Sequence, residues 1–507
     1  MRHLARFFPV GLALLGLGFW IAASFIDAPF LYNVDEVQVA SRAFGVVVRR
    51  DLDPNFLIYP HGLLYLQALV TAAVDAIFGL NPGAALDPYR PPPIETWPNY
   101  FALRMISASA AAGAVYLISD LGRRCFGSVV GVAAGLILIG SNLLRHSASH
   151  ATVDATLCFL ITLGVYFLAR ALEEGRPRLL WAAAMAFGAA ASVKYNGAVF
   201  LVYLPFVSYI LSKDPRAVAK QTIGGGLLAF SVFACLSPFV LVHGRAFFDP
   251  NEAGLMYDLV HYQTGHEGFD EGSTVSRALL EIHNGISRAS ALVVFAPWAI
   301  SASKTKRRVL GLLLAQVALV FLVISQFRVL FPRNLLPLAP ALALLVPASL
   351  KELGAVWGAR RPALTLAPLA LTLLPLVLSW AHDYKTVRAV LEELVLPDTR
   401  SAALQWMEVN VPKSARILHD QYGPHTELFG WPTRIEHKLS ALRWEQLTEG
   451  TDYIITSSPQ WSRFLRSGTG SYERLESAPV LQHFDPSPKT SRGPSLRIYS
   501  VPALPGG

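Results

Sequence analysis

Charge is in short supply in this chain. Only 15% of its 507 residues are Asp, Glu, Lys or Arg, while 53% are hydrophobic; a soluble protein carries nearer a quarter charged residues. That deficit excludes an ordinary soluble enzyme. Cysteine is scarcer still: Cys125 lies beside an apolar run, and Cys158 and Cys235 lie within others. None falls in the polar C-terminal part, so no disulfide framework or thiolate metal site is indicated there. Internal repeats, heptad seams and low-complexity tails are missing as well. The run Gly224-Gly225-Gly226 sits inside an apolar stretch, where small residues serve helix packing rather than phosphate binding.

What the chain has instead is long apolar runs, each near the roughly 20 residues that a bilayer-crossing helix needs. They predict a multi-pass protein of the plasma (inner) membrane. The net charge of +8 does not point to nucleic acid, because Lys and Arg collect in the cytoplasmic loops of such proteins. Here they form six segments: Arg2/Arg6, Arg123-Arg124, Arg170/Arg176/Arg178, Lys213/Arg216/Lys220, Lys304/Lys306/Arg307/Arg308 and Lys351/Arg360/Arg361. With all six in the cytoplasm, consecutive segments are separated by an even number of crossings. Parity then keeps residues 57–80 on the outer interface as amphipathic helices, within a long first outer loop over 28–100. It also folds 179–211 into a hairpin that turns outside at Lys194-Tyr195-Asn196-Gly197.

Residues 9–26 are longer than a signal-peptide core and read as a retained first helix. The remaining spans are 101–121, 127–144, 152–169, 221–242, 289–302, 309–327, 334–350 and 363–380. The expected fold class is mainly α, a polytopic transmembrane helical protein of about 11 spans over 1–382, with the N-terminus inside. A small extracytoplasmic α/β domain follows over 383–507. There Asp398 can cap a helix over 399–410, and 415–419, 453–456 and 496–500 read as strands.

Against this background, adjacent carboxylates directly after the first span stand out: Asp35-Glu36. Ionisable groups at a bilayer are costly and often mark chemistry, although a pair at the interface can simply be solvated. Four cations run against the charge bias by falling in short outer segments: Arg145, Lys194, Arg328 and Arg333. They either hold an anion such as phosphate or meet lipid headgroups. His146, His150 and Asp154 are spaced i, i+4, i+8 and would share one helical face. Two histidines and a carboxylate are a known ligand set, so a divalent metal is one reading and hydrogen-bonded structural or substrate contacts are the other. The loop 243–286 adds His243, Asp249, Glu252, His261, Tyr262, His266 and Glu267.

A series of short motifs runs through residues 5–350: Asp35-Glu36; Tyr59-Pro60-His61-Gly62-Leu63-Leu64-Tyr65; Arg104; Asp154; Lys194-Tyr195-Asn196-Gly197; Ser237-Pro238-Phe239; and Arg333-Asn334-Leu335-Leu336-Pro337. In order and spacing this series resembles the GT-C fold membrane glycosyltransferases, in particular protein O-mannosyltransferases and lipid A aminoarabinose transferases (glycosyltransferase family 39 and its neighbours). That family more often has two prolines where Pro60-His61 stands, and Arg-Tyr where Arg333-Asn334 stands.

The resemblance implies an inverting sugar transfer from a polyprenyl-phosphate-linked donor to a protein, lipid or polysaccharide acceptor at the outer face of the membrane. Asp35 would be the general base, with Glu36 as the alternative base or its orienting partner. Lys194 and Arg333, supported by Arg145 or Arg328, would stabilise the departing phosphate. His61, His150, Asp154, Tyr195 and His266 complete the expected substrate-binding set. A transporter or flippase is the competing class, but it would place ionisable groups near the midplane or in paired half-repeats.

Overall fold

A computed structural model describes every residue except 1–6, 27–29, 31–32, 80–81, 87–95, 253, 266–272, 294–302, 361–365, 437–438, 460, 462–470, 488–489 and 502–507. Helices dominate the described residues as far as residue 395. In order they are α1 (Phe8–Ala23), α2 (Val34–Arg49), α3 (Gly62–Phe78), α4 (Trp97–Phe126), α5 (Ser128–Gly140), α6 (Asn142–Ala148), α7 (Val153–Glu174), α8 (Leu179–Val193), α9 (Tyr203–Leu211) and α10 (Pro215–Leu236). Short helices follow, α11 (Pro238–Val242), α12 (Gly244–Phe248), α13 (Leu255–Thr264) and α14 (Thr274–Glu281), and then α15 (Lys304–Ile324), α16 (Leu338–Arg360) and α17 (Ala367–Val395).

Among the described residues, five helices are long and apolar enough to cross a membrane: α4, α7, α10, α15 and the Leu338–Val356 part of α16. Joined to α6, α5 makes a sixth, bent by 65° between them. At that bend Ser141 accepts from Leu144 N at 3.2 Å and donates to Gly285 O at 3.0 Å. Shorter apolar helices run over Phe8–Ala23, Leu179–Val193, Tyr195–Leu211 and Pro368–Leu378. Eleven full-length crossings are therefore not what the described residues show. The expected span at 289–302 has a 3-10 turn over 288–293 in place of a helix, and the rest of it lies outside the described residues.

Charge distributes the two ends of the bundle. Arg123 and Arg124 each bridge Asp120 at 2.5 Å near the end of α4. Lys351 donates to the carbonyl of Phe126, the last residue of that helix, and Lys306 pairs with Glu352 at 2.5 Å. Three of the basic connectors thus meet at one end, where helix carbonyls favour cations. Arg104 lies 19 residues earlier on α4, about 28 Å away at 1.5 Å per residue, close to the thickness of a hydrocarbon core. Between the ends the core packs small side chains such as Ala108, Ala111, Ala134, Ala183 and Ala190, as bilayer helices do.

The helix α17 runs past residue 382 to Val395, and the α/β fold itself begins at Asp398. Asp398 caps α18 (Thr399–Asn410) by accepting from Arg400 N at 2.8 Å. The sheet comprises β1 (Ile417–Asp420), β2 (Thr433–Glu436), β3 (Tyr453–Ser457), β4 (Gln482–Phe484) and β5 (Leu496–Ser500), in the order β2-β1-β3-β5-β4. The pairs β1–β2 and β1–β3 are parallel, and β5 is antiparallel to both neighbours. The apolar strands β1, β3 and β5 match the sequence expectation; β2 and β4 are short polar edge strands without an alternating signal. Phe30, between α1 and α2, is buried among Leu404, Met407 and Trp431. It ties this domain to the segment that leads into Asp35.

Candidate active site

The adjacent carboxylates take opposite fates because they start a helix. Asn33 caps α2, accepting from Asp35 N at 3.0 Å and Glu36 N at 3.4 Å, so residues 35 and 36 sit in the first turn and diverge by about 100°. Glu36 is fully buried. Arg104 grips it with Nε–Oε1 and Nη2–Oε2 both at 2.6 Å, Ala151 N donates to Oε1 at 2.9 Å, and Arg104 Nη1 reaches Ser24 O at 2.5 Å. All of the Glu36 bonding capacity is directed into the protein. Asp35 is about 30% exposed and pairs with Arg333 Nη1.

Three further elements bring in the other charges. Lys194 lies at the break between α8 and the 3-10 turn Tyr195–Val202, where a Cβ on Gly197 would come within 2.5 Å of the Ala190 backbone. Only glycine lets that turn fold so closely onto α8. Lys194 Nζ bonds Asp154 Oδ1 at 3.0 Å and Asn334 Oδ1 at 3.3 Å. Asp154 opens α7, and its other oxygen lies 4.0 Å from Arg333 Nε. Arg333 belongs to the 3-10 turn Pro332–Leu335, held by Gln316 of α15 donating to Pro337 O at 2.7 Å.

These groups form one end of a cavity of about 280 Å³. Asp35, Tyr59, Lys194, Tyr195, Asp258, Arg333 and Asn334 line that end, while Leu319, Val320, Val323, Ile324 and Phe327 make an apolar wall. Burial pushes the Tyr59 phenol well above its ordinary value, with Asp35 adding to the shift, so it stays a hydrogen-bond donor. Burial also pushes the Asp258 carboxyl up to about 6, although Lys194 and Arg333 oppose the rise. Asp258 drew no attention in the sequence. Its only signal is the spacing of Leu255, Asp258, Leu259 and Tyr262 along one face of α13, all of which line the cavity.

Of the expected site residues, Asp35, Lys194, Tyr195 and Arg333 line the cavity, with Asp154 behind them. Glu36, His61, Arg145, His150 and Arg328 do not line it. His61 is buried beside it, its N–H donating to Ser237 Oγ at 3.0 Å and its Nε2 meeting Phe56 O at 2.9 Å. The next residue, Gly62, is packed on Ser192 so closely that a Cβ would sit 2.4 Å from its hydroxyl. Arg145 bonds Asn142 Oδ1 at 2.7 Å, and Arg328 donates to Thr264 O at 3.3 Å. His266 lies outside the described residues.

The shared helical face expected for His146, His150 and Asp154 is not formed. The chain leaves α6 at Ser149 and restarts at Thr152, because Ala151 N is used by Glu36. His150 Nδ1 therefore meets His146 O at 2.7 Å, while Asp154 turns to Lys194. Among the described residues no group of three His, Cys, Asp or Glu side chains has the geometry to hold a metal ion.

Comparison with known proteins agrees with this architecture. Residues 98–241 match the family model described as dolichyl-phosphate-mannose-protein mannosyltransferase. No curated protein matches the sequence. In fold the chain is similar to ArnT from Cupriavidus metallidurans in the apo state, with a TM-score of 0.55, 14% identity and coverage of 98% of this chain and 99% of that one. The same protein bound to undecaprenyl phosphate gives a TM-score of 0.54 at 14% identity, over 96% and 97% of the two chains. The Archaeoglobus fulgidus oligosaccharyltransferase, tethered to an acceptor peptide, gives 0.55 at 11% identity over 96% of this chain and 74% of that one. The protein thus has the GT-C fold of membrane glycosyltransferases, in the form that resembles the protein O-mannosyltransferase and ArnT group.

Proposed function

We propose that this protein is an inverting glycosyltransferase that moves a sugar from a polyprenyl-phosphate donor to an acceptor at the extracytoplasmic face of the membrane. The observation that carries the reading is the two-natured cavity: two cations and two carboxylates share it with an apolar wall from α15. A lipid phosphate has that same division. The similar ArnT structure is bound to undecaprenyl phosphate, which supports a lipid-phosphate carrier here. The acceptor is a protein, lipid or polysaccharide of the envelope.

In the reaction, Asp35 accepts the proton of the acceptor hydroxyl as its oxygen attacks the anomeric carbon. The bond from that carbon to the phosphate oxygen breaks, and its electron pair stays with the phosphate. The donor phosphodiester carries one negative charge and the released monoester approaches two, with a second pKa near 6. Lys194 and Arg333 are placed to take up that added charge, and Tyr59 can donate a further hydrogen bond. Arg333 is paired with Asp35 before substrate arrives, so an incoming phosphate competes for the guanidinium and frees the base. Glu36 acts at one remove: its clamp on Arg104 fixes the first turn of α2 and so aims Asp35. The basic connectors at the opposite end of the bundle favour a cytoplasmic placement for that end, which puts the cavity and residues 383–507 outside.

The test is transfer by purified protein from radiolabelled polyprenyl-phosphate sugars to an envelope membrane fraction. Label moving into acceptor with wild type and not with Asp35→Asn supports the reading. Transport of label into vesicles without a new glycosidic bond contradicts it.

A further inference from the structure

Asp258 differs from every other acid near the cavity. Asp35 is paired with Arg333, Asp154 with Lys194, and Glu36 with Arg104. The Asp258 carboxylate lines the same cavity but makes no hydrogen bond or ion pair among the described residues. It is also held firmly. Arg328 N and Val329 N both bond Tyr262 O, at 3.1 and 3.2 Å. The Tyr262 ring packs edge-on against Phe327 and Phe331, with centroids 5.7 and 5.8 Å apart. The helix carrying Asp258 is thereby fastened to the segment that carries Arg333. A fixed, half-buried carboxylate with unused acceptor capacity is costly unless something supplies donors.

Building on the transfer reaction above, we propose that Asp258 is a specificity-determining residue that holds hydroxyls of the donor sugar, and that it restricts the donor to sugars without an acid group of their own. The two cavity cations, Lys194 and Arg333, are each already engaged with an acid, and both face the carrier phosphate. The sugar attached to that phosphate must lie beside it, next to Asp258 and Asp35. Sugar hydroxyls donate to a carboxylate, often in pairs, and hydrogen bonds to a charged group are the stronger kind. A sugar carboxylate at this place would instead meet Asp258, and among the described lining residues Lys194 and Arg333 are already paired with acids, leaving only the imidazole of His261 as a further titratable base. The groups facing Asp258 across the cavity are Lys194, Arg333 and Tyr195, with Tyr262 and His261 on its own helix.

The test is equilibrium binding by the purified full-length protein of bare undecaprenyl phosphate, of undecaprenyl phosphates carrying neutral hexoses and pentoses, and of the matching uronates. In wild type at least one neutral sugar should bind ten-fold or more tightly than the bare carrier, and no uronate should gain over it. Asp258→Asn should bring the neutral sugar to within about three-fold of the bare carrier and narrow the gap to the uronates. It should also bind bare undecaprenyl phosphate as tightly as wild type or a few-fold more tightly, since a negative charge beside Lys194 and Arg333 has gone; that arm shows the variant is folded. A neutral-sugar preference that survives Asp258→Asn overturns the proposal, as does a loss of bare-carrier affinity, which would make Asp258 a phosphate ligand. Failure of wild type to bind any carrier would instead refute the transferase reading itself.

Discussion

Two regions of this molecule hold buried ionisable groups, and they use them differently. In the C-terminal domain, Asp420 ends β1 beside β3, where open α/β sheets commonly bind ligands. Its carboxylate is fully buried and already satisfied: Tyr422 N and Ser457 Oγ donate to Oδ1 at 2.8 and 2.7 Å, and Ser457 N donates to Oδ2 at 2.8 Å. Next to it, His419 leans on Glu427 at 3.3 Å. His425 is stacked against Phe30 with centroids 5.7 Å apart and is held neutral by burial. These groups lock the domain together and fasten it to residue 30. At the membrane cavity the acids and cations retain capacity. Among the described residues, Asp35 pairs with Arg333, the Asp258 carboxylate lines the cavity without a hydrogen bond or ion pair, and Arg333 Nε has no hydrogen bond. Unused capacity alone does not mark a site, since His425 Nδ1 and Nε2 are also buried without a hydrogen bond among the described residues; what sets the membrane region apart is that its charged groups line a cavity of about 280 Å³.

Substitutions can break or sharpen that contrast. The largest effect is expected at the base: Asp35→Asn should slow transfer by about 10²–10⁴-fold while the melting temperature stays within a degree or two of wild type. Its neighbour should behave in the opposite way. Glu36→Ala leaves the Arg104 guanidinium buried without its carboxylate, which costs about 3–5 kcal/mol of stability, seen as a lower melting temperature and poor recovery from the membrane. If Glu36→Ala kept full stability and lost only activity, the division between a reacting and a positioning acid would be wrong.

In the other region, Asp420→Ala should cost about 1–3 kcal/mol through the donors it orphans, yet leave transfer per folded molecule unchanged. A specific loss of turnover there would give the C-terminal cluster a chemical role. The smallest effect concerns pH. Burial raises the Asp258 carboxyl from 3.8 to about 6 in the folded protein, so the folded state binds more protons than the unfolded one between those values. The stability tied to this group is fully present below about pH 4 and is lost as pH rises through 6. Melting curves of wild type against Asp258→Asn should therefore diverge across that window, by on the order of 1 kcal/mol after allowance for solvent. Parallel curves would mean that Asp258 is not buried as described.

Much of the fold was legible because membrane helices announce themselves by length and charge. The basic segments at 123–124, 304–308 and 351 meet at one end, as parity required, and the hairpin does turn at Lys194. The count of eleven was less legible, since kinks at Ser141 and Ser237 and short helices such as α8 and α9 divide apolar runs that composition alone leaves continuous. At the site, Asp35 was visible as one of two adjacent acids directly after the first apolar run, and Lys194 and Arg333 as cations in segments that the charge bias assigns to outer loops. The metal-like spacing at 146–154 misled, because periodicity assumes an unbroken helix and a long-range bond from Ala151 to Glu36 breaks this one. Asp258 stayed hidden as one acid among many in a polar loop. Its meaning comes from a place in the cavity wall without a hydrogen bond or ion pair among the described residues, which only three dimensions reveal.

The central claim is that the cations lining this cavity hold a lipid-linked phosphate. Equilibrium binding of undecaprenyl phosphate to the purified protein, compared across wild type, Lys194→Ala and Arg333→Ala, tests it most directly. Each charge contact is worth about 1.5–3 kcal/mol, so each variant should lose roughly 10- to 100-fold in affinity while remaining folded. Affinity equal to wild type in both variants would contradict the account.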